Sequence, residues 1–123
     1  LTIIAYGTMS HFAVEAAEQL ASEGIDATVL DLRSLQPLDW PTIEAAIQRT
    51  SKALIVHEDT RFLGYGAEVA AQIAEKSFDW LDAPVRRYTT PDIPTFPFAA
   101  SLENQVFPSV EGIIDEARSL ARW

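Results

Sequence analysis

A three-layer α/β/α domain with a mostly parallel central sheet is the fold class this sequence predicts. Short aliphatic segments alternate with stretches whose apolar residues recur at helical spacing, and the joins between them are short. One run, Ala53-Leu54-Ile55-Val56, is continuously aliphatic and β-branched, as a central strand is. No internal repeat or low-complexity segment interrupts the alternation. The length of 123 residues suits one domain, and a 48% apolar composition supplies its core. A chain of this size buries roughly two-thirds of its unfolded surface.

The elements follow in order. Residues 2–6 are largely apolar and end at Gly7, which predicts a short buried strand. Ser10 is placed to cap a helix running to Leu20, with Phe12, Ala13, Ala16, Ala17 and Leu20 as its buried stripe. Gly24 then stops that helix in a left-handed turn. Ala27 to Leu32 form the second strand, apolar enough to be covered on both faces as in a parallel sheet. Asp39 caps a second helix, Pro41 is tolerated in its first turn, and Ile43, Ala46 and Ile47 face inward. The third strand, Ala53–Val56, takes a central position. A loop with Gly64 and Gly66 leads to a third helix with Val69, Ala70, Ile73 and Ala74 inward. Pro84 to Thr89 is the fourth strand. Three prolines between Pro91 and Pro97 make a stiff connector, and a last helix runs from about Val110 with Ile113, Ile114, Ala117 and Leu120 on one side.

Composition removes several function classes. There is no cysteine, so disulfides, thiolate ligands and a cysteine nucleophile are excluded, which fits a reducing compartment. No apolar run reaches the ~20 residues that span a bilayer. Leu1–Tyr6 has no basic segment ahead of it and does not read as a signal peptide. Eighteen acids against nine bases give a net charge of -9, a field that repels phosphate backbones and favours a basic protein partner over nucleic acid. The chain enters a strand at once, as a domain cut from a longer polypeptide does.

Candidate chemistry is thin. Gly64-x-Gly66 lies between a strand and a helix, but a dinucleotide fingerprint needs glycine or alanine where Val69 stands, so a turn before a helix is the better reading. His57-Glu58-Asp59 closes the third strand at the edge where open α/β sheets place their sites. Adjacent strand residues point to opposite faces, so these three do not converge; His57 is expected to make a structural or interface hydrogen bond. His11, the other histidine, starts a helix. Gly7-Thr8-Met9-Ser10-His11 lacks the second glycine of a serine-hydrolase elbow, and metal-ligand spacings are absent. Arg86 and Tyr88 share one face of the fourth strand while Arg87 faces the other way. The paired arginines read equally as a bridge to a neighbouring subunit or as a sheet-edge charge pair.

Three stretches carry a resemblance. Asp31-Leu32-Arg33-Ser34-Leu35-Gln36-Pro37-Leu38-Asp39 resembles the segment after the second strand of transketolase C-terminal domains. His57-Glu58-Asp59 with Gly64-Tyr65-Gly66-Ala67-Glu68-Val69 is similar to the narrower pattern of β subunits of thiamine-diphosphate-dependent 2-oxo acid dehydrogenases. Leu81-Asp82-Ala83-Pro84-Val85 with Pro91-Asp92-Ile93-Pro94 narrows it again, and Phe96-Pro97-Phe98-Ala99 with Leu102-Glu103 looks most like bacterial branched-chain (2-oxoisovalerate) members. Pyruvate- and acetoin-specific relatives and transketolase-type transferases share parts of the pattern.

The resemblance implies a transketolase C-terminal-like domain over residues 1–123, excised from a longer β subunit. The holoenzyme of such a subunit binds thiamine diphosphate and magnesium between an α subunit and the N-terminal half of β. It decarboxylates a 2-oxo acid and passes the acyl group to a lipoyl arm. Neither cofactor nor any catalytic residue is expected within this domain, so the isolated domain is expected to be inactive. Its implied partners are the α subunit and a second β subunit in a heterotetramer, and the basic peripheral-subunit-binding domain of a dihydrolipoyl acyltransferase. Docking in relatives uses the acid before Ala-Pro and the terminal carboxylate, which carry over to Asp82 and, if Trp123 is the natural end, to its carboxylate. The isolated domain is expected to self-associate through apolar helix faces. A bacterial protein would be cytoplasmic and a eukaryotic one would sit in the mitochondrial matrix.

Overall fold

The structure is a computed structural model that describes every residue from Leu1 to Trp123. Its sheet has four strands, β1 (Thr2–Ala5), β2 (Thr28–Asp31), β3 (Ala53–Thr60) and β4 (Arg86–Thr90), all parallel, in the order β2-β1-β3-β4. The helices α1 (Thr8–Ser22), α2 (Trp40–Thr50), α3 (Tyr65–Lys76), a single turn α4 (Ala100–Glu103) and α5 (Val110–Ala121) complete the chain. Helices α1 and α5 cover one face of the sheet, and α2 and α3 cover the other.

Each central strand therefore serves two cores. On β1, Ile3 and Ala5 pack toward α1 and α5, while Ile4 packs toward α2 and α3. On β3, Leu54 and Val56 join the first core and Ala53 and Ile55 the second. All are fully buried, which is why the sequence of β3 lacks any polar alternation. The edge strand β2 is only half-buried along its length, although its aliphatic residues suggest cover on both faces.

Local chemistry sets the helix ends. Helix α1 starts earlier than a Ser10 cap would allow, because Gly7 at φ 61° turns the chain straight out of β1. Ser10 sits inside the helix, and its hydroxyl donates instead to Asp31 Oδ1 at the end of β2, 2.7 Å away. Gly24, at φ 79°, closes α1 as expected: its N–H donates to the Ala21 carbonyl and that of Ile25 to the Leu20 carbonyl. Asp39 caps α2, accepting from the Thr42 N–H at 3.3 Å and the Thr42 hydroxyl at 2.7 Å. In α3, Val69 and Ile73 are buried as the spacing predicts, but Ala74 is exposed, because α3 rolls Gly66 rather than Ala74 onto the sheet. Ser109 caps α5 through the Gly112 N–H, and Gly112 leaves room for the Tyr88 hydroxyl of β4. Residues 91–99 form no helix or strand, consistent with their prolines.

Leu54→Ala removes a fully buried side chain between two layers and is expected to cost about 2–5 kcal/mol. Asp39→Ala removes one cap and is expected to cost about 1 kcal/mol. Urea denaturation of both variants, with unchanged slopes and shifted midpoints, checks the ranking.

Candidate functional site

The strand order reverses between β1 and β3, so the carboxyl ends of these strands form the switch point where open α/β sheets place ligands. Tyr6, Gly7, His57 and Glu58 stand there. His57 is fully buried and stacks on Tyr6, with ring centroids 5.6 Å apart and planes 13° from parallel. Tyr65 meets Tyr6 edge-on at 6.0 Å, and its hydroxyl donates to the Leu35 carbonyl. Neither nitrogen of His57 has a hydrogen-bond partner, so the structural hydrogen bond expected of it is not formed within the chain. Burial holds His57 below the ordinary histidine range and keeps it neutral. Burial, aided by Asp59, likewise pushes the Tyr6 phenol up to about 12. A histidine sealed from solvent and a phenol this weak supply no general base to a substrate.

The glycines at the start of α3 serve the same packing. A Cβ on Gly66 would lie 2.3 Å from His57 Nε2, and one on Gly64 would lie 2.1 Å from the Thr60 carbonyl oxygen. The space that a phosphate would need above these glycines is filled by the imidazole and by backbone. Glu58 and Asp59 are exposed, and no three His, Asp or Glu side chains come together in metal-holding geometry. These residues do not fit thiamine diphosphate or magnesium. Beside Glu58, a cleft of about 550 Å³ opens between the start of α1 and residues 103–109. It gathers Glu58 and Glu103 with Thr8 and Ser109, but neither histidine to activate a hydroxyl.

The second concavity is apolar. A groove of about 690 Å³ is lined by Ala70, Ala71 and Ala74 of α3, by Phe78, by Leu81 through Val85, and by Trp123. It brings together the two residues that the sequence singles out for docking, Asp82 and Trp123. Leu81 packs against the α2/α3 core and Ala83 is buried in the α1/α5 core. Asp82 between them has its N–H bound to the Ser51 carbonyl at 2.9 Å, and its exposed carboxylate makes no hydrogen bond or ion pair within the chain. It does not cap the turn before Pro84. Trp123 is placed by α5, whose end is held where Lys52 Nζ donates to the Ala121 carbonyl, 3.1 Å away. Phe78 and Trp123 are 72% and 64% exposed, so the groove presents two aromatic walls to solvent. Ala74, read as core from its spacing, forms part of the floor.

The apolar helix stripes expected to drive self-association are buried against the sheet instead. Exposed large apolar side chains include Phe62, Leu63, Phe96 and Phe98 in loops and Val14 and Leu102 on helices, besides the aromatic walls of the groove. Of the paired arginines, Arg86 bridges to Glu116 of α5 at 2.9 Å, while Arg87 turns to the other face and donates to the Arg61 carbonyl at 2.8 Å.

Residues 1–113 match the family model described as transketolase, C-terminal domain. The chain is 45% identical over 114 residues to the Arabidopsis thaliana pyruvate dehydrogenase E1 component subunit beta-1, mitochondrial, covering 93% of this chain and 31% of that protein. It is 42% identical over 123 residues to the 2-oxoisovalerate dehydrogenase subunit beta of Bacillus subtilis, covering all of this chain and 38% of that protein. The chain thus spans about a third of the length of these relatives. Among solved structures, a split gene transketolase described as an inactive beta4 tetramer superposes with a TM-score of 0.82 at 26% identity, over 98% of this chain and 38% of that one.

Two measurements check this site. Gly66→Ala gains about 1 kcal/mol of helix propensity but forces a methyl into the imidazole, so a net loss of about 1–3 kcal/mol is expected in chemical denaturation. His57 has a lowered folded value, so below the ordinary 6.5 the unfolded chain binds the extra proton and stability falls with acidification. In His57→Phe the melting temperature should fall less between about pH 7 and pH 5 than in the parent chain. Parallel falls would show that His57 titrates freely.

Proposed function

Because the chain belongs to the transketolase C-terminal domain family, we propose that it is the C-terminal domain of the β subunit of a thiamine-diphosphate-dependent 2-oxo acid dehydrogenase, where it joins subunits and docks the acyltransferase core. The groove that unites Asp82 with Trp123 carries this reading. Its occupant is the basic peripheral-subunit-binding domain of a dihydrolipoyl acyltransferase. The aromatic walls and alanine floor supply apolar area that loses water on contact, and Trp123 is the type of side chain that dominates binding energy. The unpaired Asp82 carboxylate meets a basic residue of the partner, adding register and encounter rate more than raw affinity. At low salt the net charge of -9 also steers such a partner toward the domain.

Decarboxylation and acyl transfer to lipoamide belong to the assembled enzyme. Its thiamine diphosphate and magnesium would be held by the α subunit and the N-terminal half of β, since the residues of this domain do not fit them. The α subunit and a second β subunit are the other partners, in a heterotetramer. For the substrate, a branched-chain 2-oxo acid is supported by the Bacillus relative, which aligns with all 123 residues. Pyruvate is the second reading, supported by the plant relative at 45% identity. A transketolase-type transferase has weaker support, since the split gene transketolase is only 26% identical.

Titration calorimetry with a basic peripheral-subunit-binding domain tests the docking role. Binding should weaken with added salt. Asp82→Ala should weaken it about tenfold, and Trp123→Ala should cost about 2 kcal/mol or more. An amidated C-terminus should weaken it further. Absence of binding at any salt concentration would leave subunit pairing as the only role of the domain. Sedimentation of the 123-residue chain should show self-association that Phe62→Ser with Leu63→Ser reduces; a clean monomer at high concentration would remove that expectation.

A further inference from the structure

The free edge of β4 carries a second polar surface, opposite in sign to the rest of the domain. Three of the nine basic residues, Arg61, Arg86 and Arg87, line an open pocket of about 400 Å³ with Val85 and Glu116. β4 is the last strand of the sheet, and the pocket draws side chains from both of its faces. Arg86 is neutralised by Glu116. Arg61 and Arg87 are not: each donates to the backbone carbonyl of the other, at 3.0 and 2.8 Å, and neither lies within 4.0 Å of a carboxylate. The reciprocal bonds hold two like charges side by side. Each guanidinium spends one donor in this way and keeps its remaining N–H groups for an acceptor.

In a chain with twice as many acids as bases, two arginines held together without a counter-ion are a prepared anion site. The geometry points to a docking edge for a carboxylate-rich segment of a partner protein, with Arg61 and Arg87 as its contact residues. A chain-like ligand fits better than a small anion. The two guanidinium groups lie beside an open strand edge, along which an extended segment can present successive carboxylates to them. Val85 adds an apolar contact. The acidic surface elsewhere does not forbid this, because at about 0.15 M salt charges more than ~8 Å away are largely screened. This edge is separate from the Asp82 groove and takes a partner of the opposite charge, so it stands whether or not the acyltransferase docks there.

Fluorescence anisotropy of a labelled octaglutamate peptide with the 123-residue chain tests the inference, with octaglutamine as the neutral probe. Octaglutamate should bind and octaglutamine should not. Arg61→Gln and Arg87→Gln should each weaken binding about tenfold, the size of one charge-assisted hydrogen bond. Arg118→Gln, an equal loss of charge on α5, should leave binding within twofold. Should a glutamine variant fail to fold by circular dichroism, Arg61→Lys and Arg87→Lys keep the charge and lose the fork, and a severalfold weakening is still expected. No binding, equal binding of octaglutamine, or equal loss in Arg118→Gln would overturn the proposal. Full displacement of the peptide by millimolar inorganic phosphate would overturn it too, by showing a small-anion site.

Discussion

Everything in this domain hangs on a strand that has no outside. From Ala53 to His57, β3 is buried on both faces, and from Leu54 to Val56 it is paired on both edges, so consecutive residues must satisfy two different cores. Ile55 fills the layer under α2 and α3, and Leu54 and Val56 fill the layer under α1 and α5. Each such aliphatic side chain is worth roughly 1.5–3 kcal/mol on burial. An exposed ion pair, such as Arg118 with Glu23 between α5 and α1, is screened by solvent and cannot decide the fold. His57 is the point where this constraint meets a polar residue. It occupies the last sealed position of β3, and the glycines above it let α3 close down onto its ring.

The same closure leaves the margins of the domain as its open apolar and charged surfaces. In many open α/β sheets the switch point is left hollow for a ligand. Here Tyr6, His57 and Tyr65 fill the part of it under α3 with stacked and edge-on rings. What remains available is the periphery, where segments leave the cores. The stretch before β4 shows how precision is achieved there. Leu81 and Ala83 anchor in opposite cores, so Asp82 between them has nowhere to point except outward, and its position is as well determined as that of the sheet itself. The groove beside it is apolar and rimmed by acid, and the far edge of β4 is basic. One small domain thereby offers two surfaces of opposite character.

Much of this was legible in the residues. Asp39 and Gly24 act as the cap and the stop their chemistry predicts, and the core positions of α2 and α5 follow their spacing. Ser10 misled because a hydroxyl near a helix start is equally suited to a cap and to a tertiary hydrogen bond. Only the approach of Asp31 decided between them. Ala74 misled for a related reason: alanine costs little in either environment, so its spacing says nothing about which way the helix rolls. Asp82 and Trp123 were singled out through resemblance. That they share one groove could not be read from two positions so far apart along the chain.

The sequence by itself determined the fold class, the order of elements and the run of residues at the centre of the sheet. These depend on local periodicity and on aliphatic burial, which short stretches of chain record. It also contained the family resemblance, because motifs are local. Tertiary structure alone decided that His57 is sealed without a partner, that Arg86 is neutralised while Arg61 and Arg87 are not, and that the Asp82 carboxylate is free. Each of these is a question of which groups meet at about 3 Å across elements distant in sequence, and a residue's identity does not record its neighbours in space.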